Sequence, residues 1–177
     1  MQAAAIGISL FLSTSVAAGQ ALSPGTWAPQ SGDWLYVDVS HNAGYLIHPN
    51  KSYLPFPVVT GQRRVVRYLG LTYNASTPTQ TWTAETEESK GDHITFGPTG
   101  KFFRLFDKGG DSTSYGIHGH AYADEMLSRD DRYRSMGCII VSERMLAVLE
   151  RTFSLNRASL AVLTGDGPPK GVETPVQ

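Results

Sequence analysis

The sequence predicts a mainly β domain with one principal helix. Three observations carry that expectation. Short runs rich in β-branched and aromatic residues recur over residues 34–59 and again over 102–118. Clusters of Gly, Pro, Asn, Asp and Ser separate these runs. Only one window, 142–153, repeats its large apolar residues at helical spacing.

Taken in order, residues 34–40 alternate in part and read as a strand, followed by a turn at 41–44. Residues 45–47 return as a second strand, and 49–52 turn again. The third strand, 53–59, is interrupted by Pro55 and Pro57, which removes two ladder donors and places it at a sheet edge. Together these make a β-meander. Residues 65–71 fit a strand or a short helix equally. Thr77-Pro78 opens a stretch ending at 82–85, and the acidic run 85–92 reads as a solvated loop rather than a metal site. Residues 102–106 and 115–118 read as paired strands around a turn at 108–111. Residues 121–134 form a charged connection. Ser142 is the N-cap expected of the helix, whose stripe is Met145, Leu146, Leu149 and Phe153. Residues 158–163 are the last strand. No internal repeat is present.

Composition narrows the function classes. Hydrophobic residues make up 41% and charged residues 18%, enough for one packed domain. The net charge of -1 gives no general attraction to nucleic acid or to an anionic membrane. A charged ligand must therefore be met by a local cluster. Residues 3–12 are uncharged and apolar and lead into small residues at 15–18, the pattern of a secretory signal peptide cleaved after Ala18 or Ala21. The alternative is an uncleaved N-terminal anchor, for which the stretch is short against the roughly 20 residues a spanning helix needs. The expected organisation is a signal or anchor over 1–21, a linker over 22–32, one domain over 33–164 and a disordered tail over 165–177.

The chemistry centres on Cys138, the only cysteine, within Ser135-Met136-Gly137-Cys138-Ile139. A lone thiol in an exported chain has no intramolecular disulfide partner, so it is either inert and buried or reactive. Upstream lies Gly116-Ile117-His118-Gly119-His120, with sixteen residues between His118 and Ser135. An unperturbed thiol is mostly protonated at neutral pH, and His118 is the candidate base that would turn Cys138 into a thiolate–imidazolium pair. A backbone carbonyl near Gly119 or a hydroxyl would orient the ring. Gly137 allows a tight backbone whose consecutive N–H groups form an oxyanion hole. Two rivals stand beside this reading. His118 and His120 lie on one face of a strand and, with Cys138, would supply three metal ligands but no clear fourth. Alternatively, Cys138 is a small buried hydrophobe. His41, His48 and His93 lie in or near turns and are expected to be exposed.

His118-Gly119, Ser135 and Gly137-Cys138-Ile139 resemble the signature of the L,D-transpeptidases, the YkuD-type peptidoglycan cross-linking enzymes. Supporting matches are the meander ending in Thr60-Gly61, and Thr77-Pro78 with Trp82, although Gln80-Thr81 stands where glycine is usual. The similarity covers roughly 33–164. Met136 replaces the family's usual histidine, while the base role falls on His118. The resemblance implies a β-sandwich or mixed sheet with its principal helix after the cysteine, acting in the periplasm or cell wall. It implies that Cys138 attacks the carbonyl between the third and fourth residues of a stem tetrapeptide and releases D-alanine. An amine of a second stem then resolves the thioester into a 3→3 cross-link. No cofactor or metal is required, and the partners implied are peptidoglycan stems, with no specific protein partner. Water as acceptor would make an L,D-carboxypeptidase. A secreted wall-targeting toxin and an inactive wall-binding homologue are the other readings. Arg134, Tyr115, His120, Ser135 and Met136 are the expected substrate-contacting residues. Arg129, Arg132 and Tyr133 lie beside them, and the arginines have the alternative of pairing with Asp130 and Asp131.

Overall fold

The computed structural model describes residues 19–171. Most of the signal or anchor segment, and the end of the tail, lie outside these residues. Among those described, no helix is long and apolar enough to cross a membrane.

The chain folds as a mainly β domain. Strands β1 (Trp34–Asp38), β2 (Ala43–Ile47) and β3 (Tyr53–Pro57) form the expected antiparallel meander, with Leu35 opposite Leu46 and Leu46 opposite Leu54. β3 ends the sheet, where its prolines cost no ladder bond. After β4 (Thr60–Gly61), the ambiguous segment resolves as a hairpin of β5 (Val65–Tyr68) and β6 (Leu71–Asn74). Leu69 and Gly70 both have positive φ, the geometry of a two-residue hairpin turn, which a helix could not contain.

β7 (Thr81–Ser89) corrects the expectation of a loop over the acidic run. The strand continues because β8 (Lys101–Phe106) supplies cations across the ladder: Arg104 clamps Glu88, and Lys101 meets Glu87 at 3.5 Å. β9 (Ser112–His118) pairs back on β8. The charged connection is not featureless. It holds a short helix, α1 (Ala123–Leu127), and β10 (Tyr133–Ser135), which runs parallel to β4. β11 (Ile139–Ile140), α2 (Glu143–Leu155) and β12 (Leu160–Gly165) complete the chain. Ser142 caps α2, its hydroxyl accepting from the Met145 amide at 3.2 Å.

The main sheet has the order β11-β9-β8-β7-β12-β1-β2-β3 and is mixed, with parallel pairs β1–β12 and β11–β9. Its two ends nearly meet, since Val59, just after β3, exchanges hydrogen bonds with Ile140 of β11. The sheet therefore curls around its inner face. That face carries Leu35, Val37, Leu46, Trp82, Phe103, Leu105, Ile117, Ile139 and Val162, all buried. The Met145, Leu146, Leu149 and Phe153 stripe of α2 closes the core.

Three expectations about the margins need correction. The region taken as a linker packs on the domain: Leu22 donates to the Tyr53 carbonyl, and Trp27 is buried. His48 is not exposed. It is buried, stacks on Trp27 at 3.7 Å and bonds Asp33 through Nδ1 at 2.6 Å. The start of the expected tail is held as well, because Gly165 belongs to β12 and the Gly167 amide donates to Asp38 at 3.0 Å.

Candidate active site

Strand alternation assigns the site to a face. Ile117 and Ile139 are opposite one another in parallel register and point into the core. Their neighbours therefore point the other way. One step back along that ladder Cys138 lies beside Gly116, and one step forward Ile140 pairs with His118. Cys138 and His118 thus share the outer face of adjacent strands. At usual strand spacing and rise this sets their Cα atoms roughly 8 Å apart, on one face but without a direct hydrogen bond between thiol and ring. Arg104, opposite Gly116 on β8, shares the same face.

His118 is 4% exposed and packs against Phe96 and Phe102, with ring centroids 5.1 and 5.7 Å away. Its Nδ1 lies 2.6 Å from the Gly119 carbonyl oxygen. In the neutral ring Nδ1 therefore carries the proton and the lone pair lies on Nε2. Burial lowers its pKa to about 4, against the opposing pull of the Gly119 and Thr95 carbonyls. The backbone carbonyl expected to orient the ring is that of Gly119 itself. A Cβ added at Gly119 would meet Glu143 Oε1, so a side chain there would require the Glu143 carboxylate to swing aside.

Cys138 is half-buried, and its thiol makes a weak contact with the Ser114 carbonyl at 3.9 Å. Burial raises its pKa, while the Gly116 amide and the Arg104 guanidinium pull it down. Burial thus favours the neutral thiol and the neutral ring at rest, against the thiolate–imidazolium pair expected from the sequence. The proton would move only as the thiol attacks.

Residues 136–138 form an elbow between β10 and β11. Gly137 has φ of +114°, and an added Cβ would lie 2.5 Å from Tyr115 Cε1. Ser135 is buried and braces the elbow: its hydroxyl donates to the Cys138 carbonyl at 2.6 Å and accepts from the Gly137 amide at 3.1 Å. It is therefore not free to contact substrate. The same bond takes the Gly137 N–H out of the expected oxyanion hole. Thr77, to which the sequence gave no role, donates to the Gly137 carbonyl and accepts from the Gly61 amide, both at 2.9 Å. The Thr-Gly and Thr-Pro pairs of the sequence were the signal for this brace.

The other expected residues are placed unevenly. Tyr115 packs edge-on against Trp82 below the elbow. Met136 accepts a weak bond from Gln62 Nε2 through sulfur at 3.3 Å. His120, with its pKa lowered by burial, accepts from the Tyr122 amide at 3.1 Å. Arg134 is exposed and only loosely paired with Asp131, at 3.8 Å. Arg129 pairs instead with Glu125, and Arg132 turns away to the His41 and Asn42 carbonyls. Among the described residues no group of three or more His, Cys, Asp or Glu side chains is gathered to hold a metal ion.

Gly137→Ala combines backbone strain with the Tyr115 clash. It is expected to cost about 1–3 kcal/mol of stability. By displacing the thiol it should slow acylation of Cys138 roughly 100-fold. Thermal unfolding and intact-mass kinetics check both; a variant as fast as the parent would mean the elbow tolerates a side chain.

The crystal structure of an L,D-transpeptidase from Xylanimonas cellulosilytica is similar, at 19% identity and a TM-score of 0.54, covering 79% of this chain and 63% of that one. The structure of Bd1075 from Bdellovibrio bacteriovorus is similar at 19% identity and a TM-score of 0.51, covering 77% and 48%. At such identity the likeness speaks for the fold alone, and the chain spans less than two thirds of either relative. No curated protein sequence matches. A family model described as the L,D-transpeptidase catalytic domain, YkuD, matches residues 32–171, and the chain belongs to that family.

Proposed function

We propose that the chain is a peptidoglycan L,D-transpeptidase acting by cysteine acyl transfer. The observation that carries this is the sharing of one sheet face by a half-buried thiol and a neutral imidazole whose tautomer is fixed by the Gly119 carbonyl. Nε2 of His118 takes the proton of Cys138 as sulfur attacks the carbonyl between the third and fourth stem residues. The same proton then passes to the departing D-alanine nitrogen, leaving a thioester. A side-chain amine of a second stem attacks the thioester, loses a proton to His118 and forms the 3→3 cross-link, freeing the thiol. Because Ser135 occupies the Gly137 amide, the oxyanion must be met by other donors. In this reading Tyr115, His120 and Met136, neighbours of the elbow and of His118, would flank the bound stem, and Arg134 would offer a charge to a stem carboxylate. No step calls for a cofactor or metal. Export to the periplasm or cell wall, where this substrate lies, fits the apolar N-terminus.

The test is mass spectrometry of the protein incubated with disaccharide-tetrapeptide fragments. Loss of D-alanine with new dimers supports the transpeptidase. Loss without dimers makes water the acceptor and the activity a carboxypeptidase. No thioester and no product from folded protein refutes the reading and favours an inactive wall-binding homologue.

A further inference from the structure

Beside the elbow runs a groove of about 590 Å³ lined by Gln62, Arg63, Arg64, Asp131, Tyr133 and Arg134. Three cations face one carboxylate there, on a chain whose net charge is -1. Arg63 and Arg64 are held by neutral groups alone. Arg63 donates to the Val39 carbonyl at 2.6 Å and stacks over the Tyr133 ring at 4.0 Å. Arg64 places Nε and Nη2 on Gln62 Oε1, at 3.0 and 2.7 Å. Arg134 donates to the Asp131 carbonyl at 3.1 Å. Among the described residues neither Arg63 nor Arg64 has a carboxylate within ion-pair distance, and the Arg134–Asp131 pair is long and exposed. Guanidinium groups oriented but not neutralised are suited to bidentate capture of an incoming carboxylate.

The groove is tied to the nucleophile. The Gln62 amide donates to the Ser135 carbonyl at 3.2 Å, and β4 pairs with β10, which carries Arg134. Gln62 also bridges the two parts: its Nε2 reaches Met136 Sδ while its Oε1 holds Arg64. Met136, the departure from the family's histidine, thus contributes an uncharged acceptor that helps set the Gln62 side chain and, through it, Arg64.

We propose that Arg63, Arg64 and Arg134 form a subsite for a free carboxylate of the stem peptide engaged at Cys138. This rests on the transpeptidase reading for its ligand, but not for its test. Binding is measured first, on the Cys138→Ala chain, with a stem tetrapeptide bearing free carboxylates and with the same peptide fully amidated. The parent should bind the free-carboxylate peptide roughly tenfold more tightly, the difference narrowing as salt rises. Arg64→Gln with Arg134→Gln should remove that preference while leaving the unfolding midpoint unchanged. Arg64→Lys, which keeps charge but loses the fork, should retain part of it. A preference that survives the double substitution, or equal or absent binding of both peptides by the parent, overturns the subsite. Acylation is measured separately with Cys138 intact. Loss confined to thioester formation puts the donor stem in the groove, and loss confined to its aminolysis puts the acceptor there. Arginine-dependent binding with no thioester in the parent would retain the subsite and discard the transpeptidase.

Discussion

Cys138→Ala should abolish thioester formation and cross-linking, lowering turnover at least about 10⁴-fold, the scale seen when an acyl-transfer nucleophile is removed. The fold should survive, because Cys138 lies outside the core cluster and its thiol makes only weak contacts, with the Ser114 carbonyl and the Gly116 amide. The elbow holding it is fixed by the backbone of residues 137 and 138, through Ser135 and Thr77, not by the thiol. An unchanged unfolding midpoint with no mass adduct is therefore the expected pair of results. Cys138→Ser should be almost as inactive, since a hydroxyl ionises far less readily than a thiol and no strong base stands beside it. Full turnover by Cys138→Ala would sink the mechanism whatever the fold resembles.

The residues that announced themselves in the sequence did so through local chemistry. The meander was legible because β-branched runs and turn residues agreed, and α2 because Met145, Leu146, Leu149 and Phe153 fall on one stripe under a serine cap. The candidate site was legible as residue types, Cys138, His118, Gly119 and Gly137, but not as interactions. Glu87 and Glu88 hid a strand because the cations that neutralise them, Lys101 and Arg104, lie on the next strand. His48 looked like a turn residue because its partners, Trp27 and Asp33, come from a segment that seemed a linker. Ser135 was read as facing substrate, whereas satisfying Gly137 and Cys138 turns it inward. Arg104 was passed over because only the β8–β9 register sets it across Gly116 from the thiol. For Glu87, Glu88, His48 and Arg104 the missing information was a contact between segments distant in sequence, which no local pattern encodes; for Ser135 it was the turn geometry of the elbow itself.

His118 carries the second large effect, and its environment fixes how pH should enter. His118→Ala should slow turnover by about 10²–10⁴-fold, the usual worth of a general base. Its pKa is held at about 4 by burial against Phe96 and Phe102, well below the ordinary histidine value. The unfolded chain therefore binds the proton more readily than the folded one between roughly pH 6.5 and 4. Stability from this group is present above that window and is lost as pH falls through it, by roughly 3 kcal/mol in all. His118→Gln should flatten the stability profile over that range. Activity should follow the same residue: with the resting pair neutral, the acid limb belongs near 4, and the rate should stay high from there to neutrality. An acid limb near 6.5 in the parent would mean that the imidazole is solvated when it works. A limb that persists unchanged in residual turnover by His118→Gln would assign the proton to another group, for which His120, half-buried and two residues along, is the first to substitute.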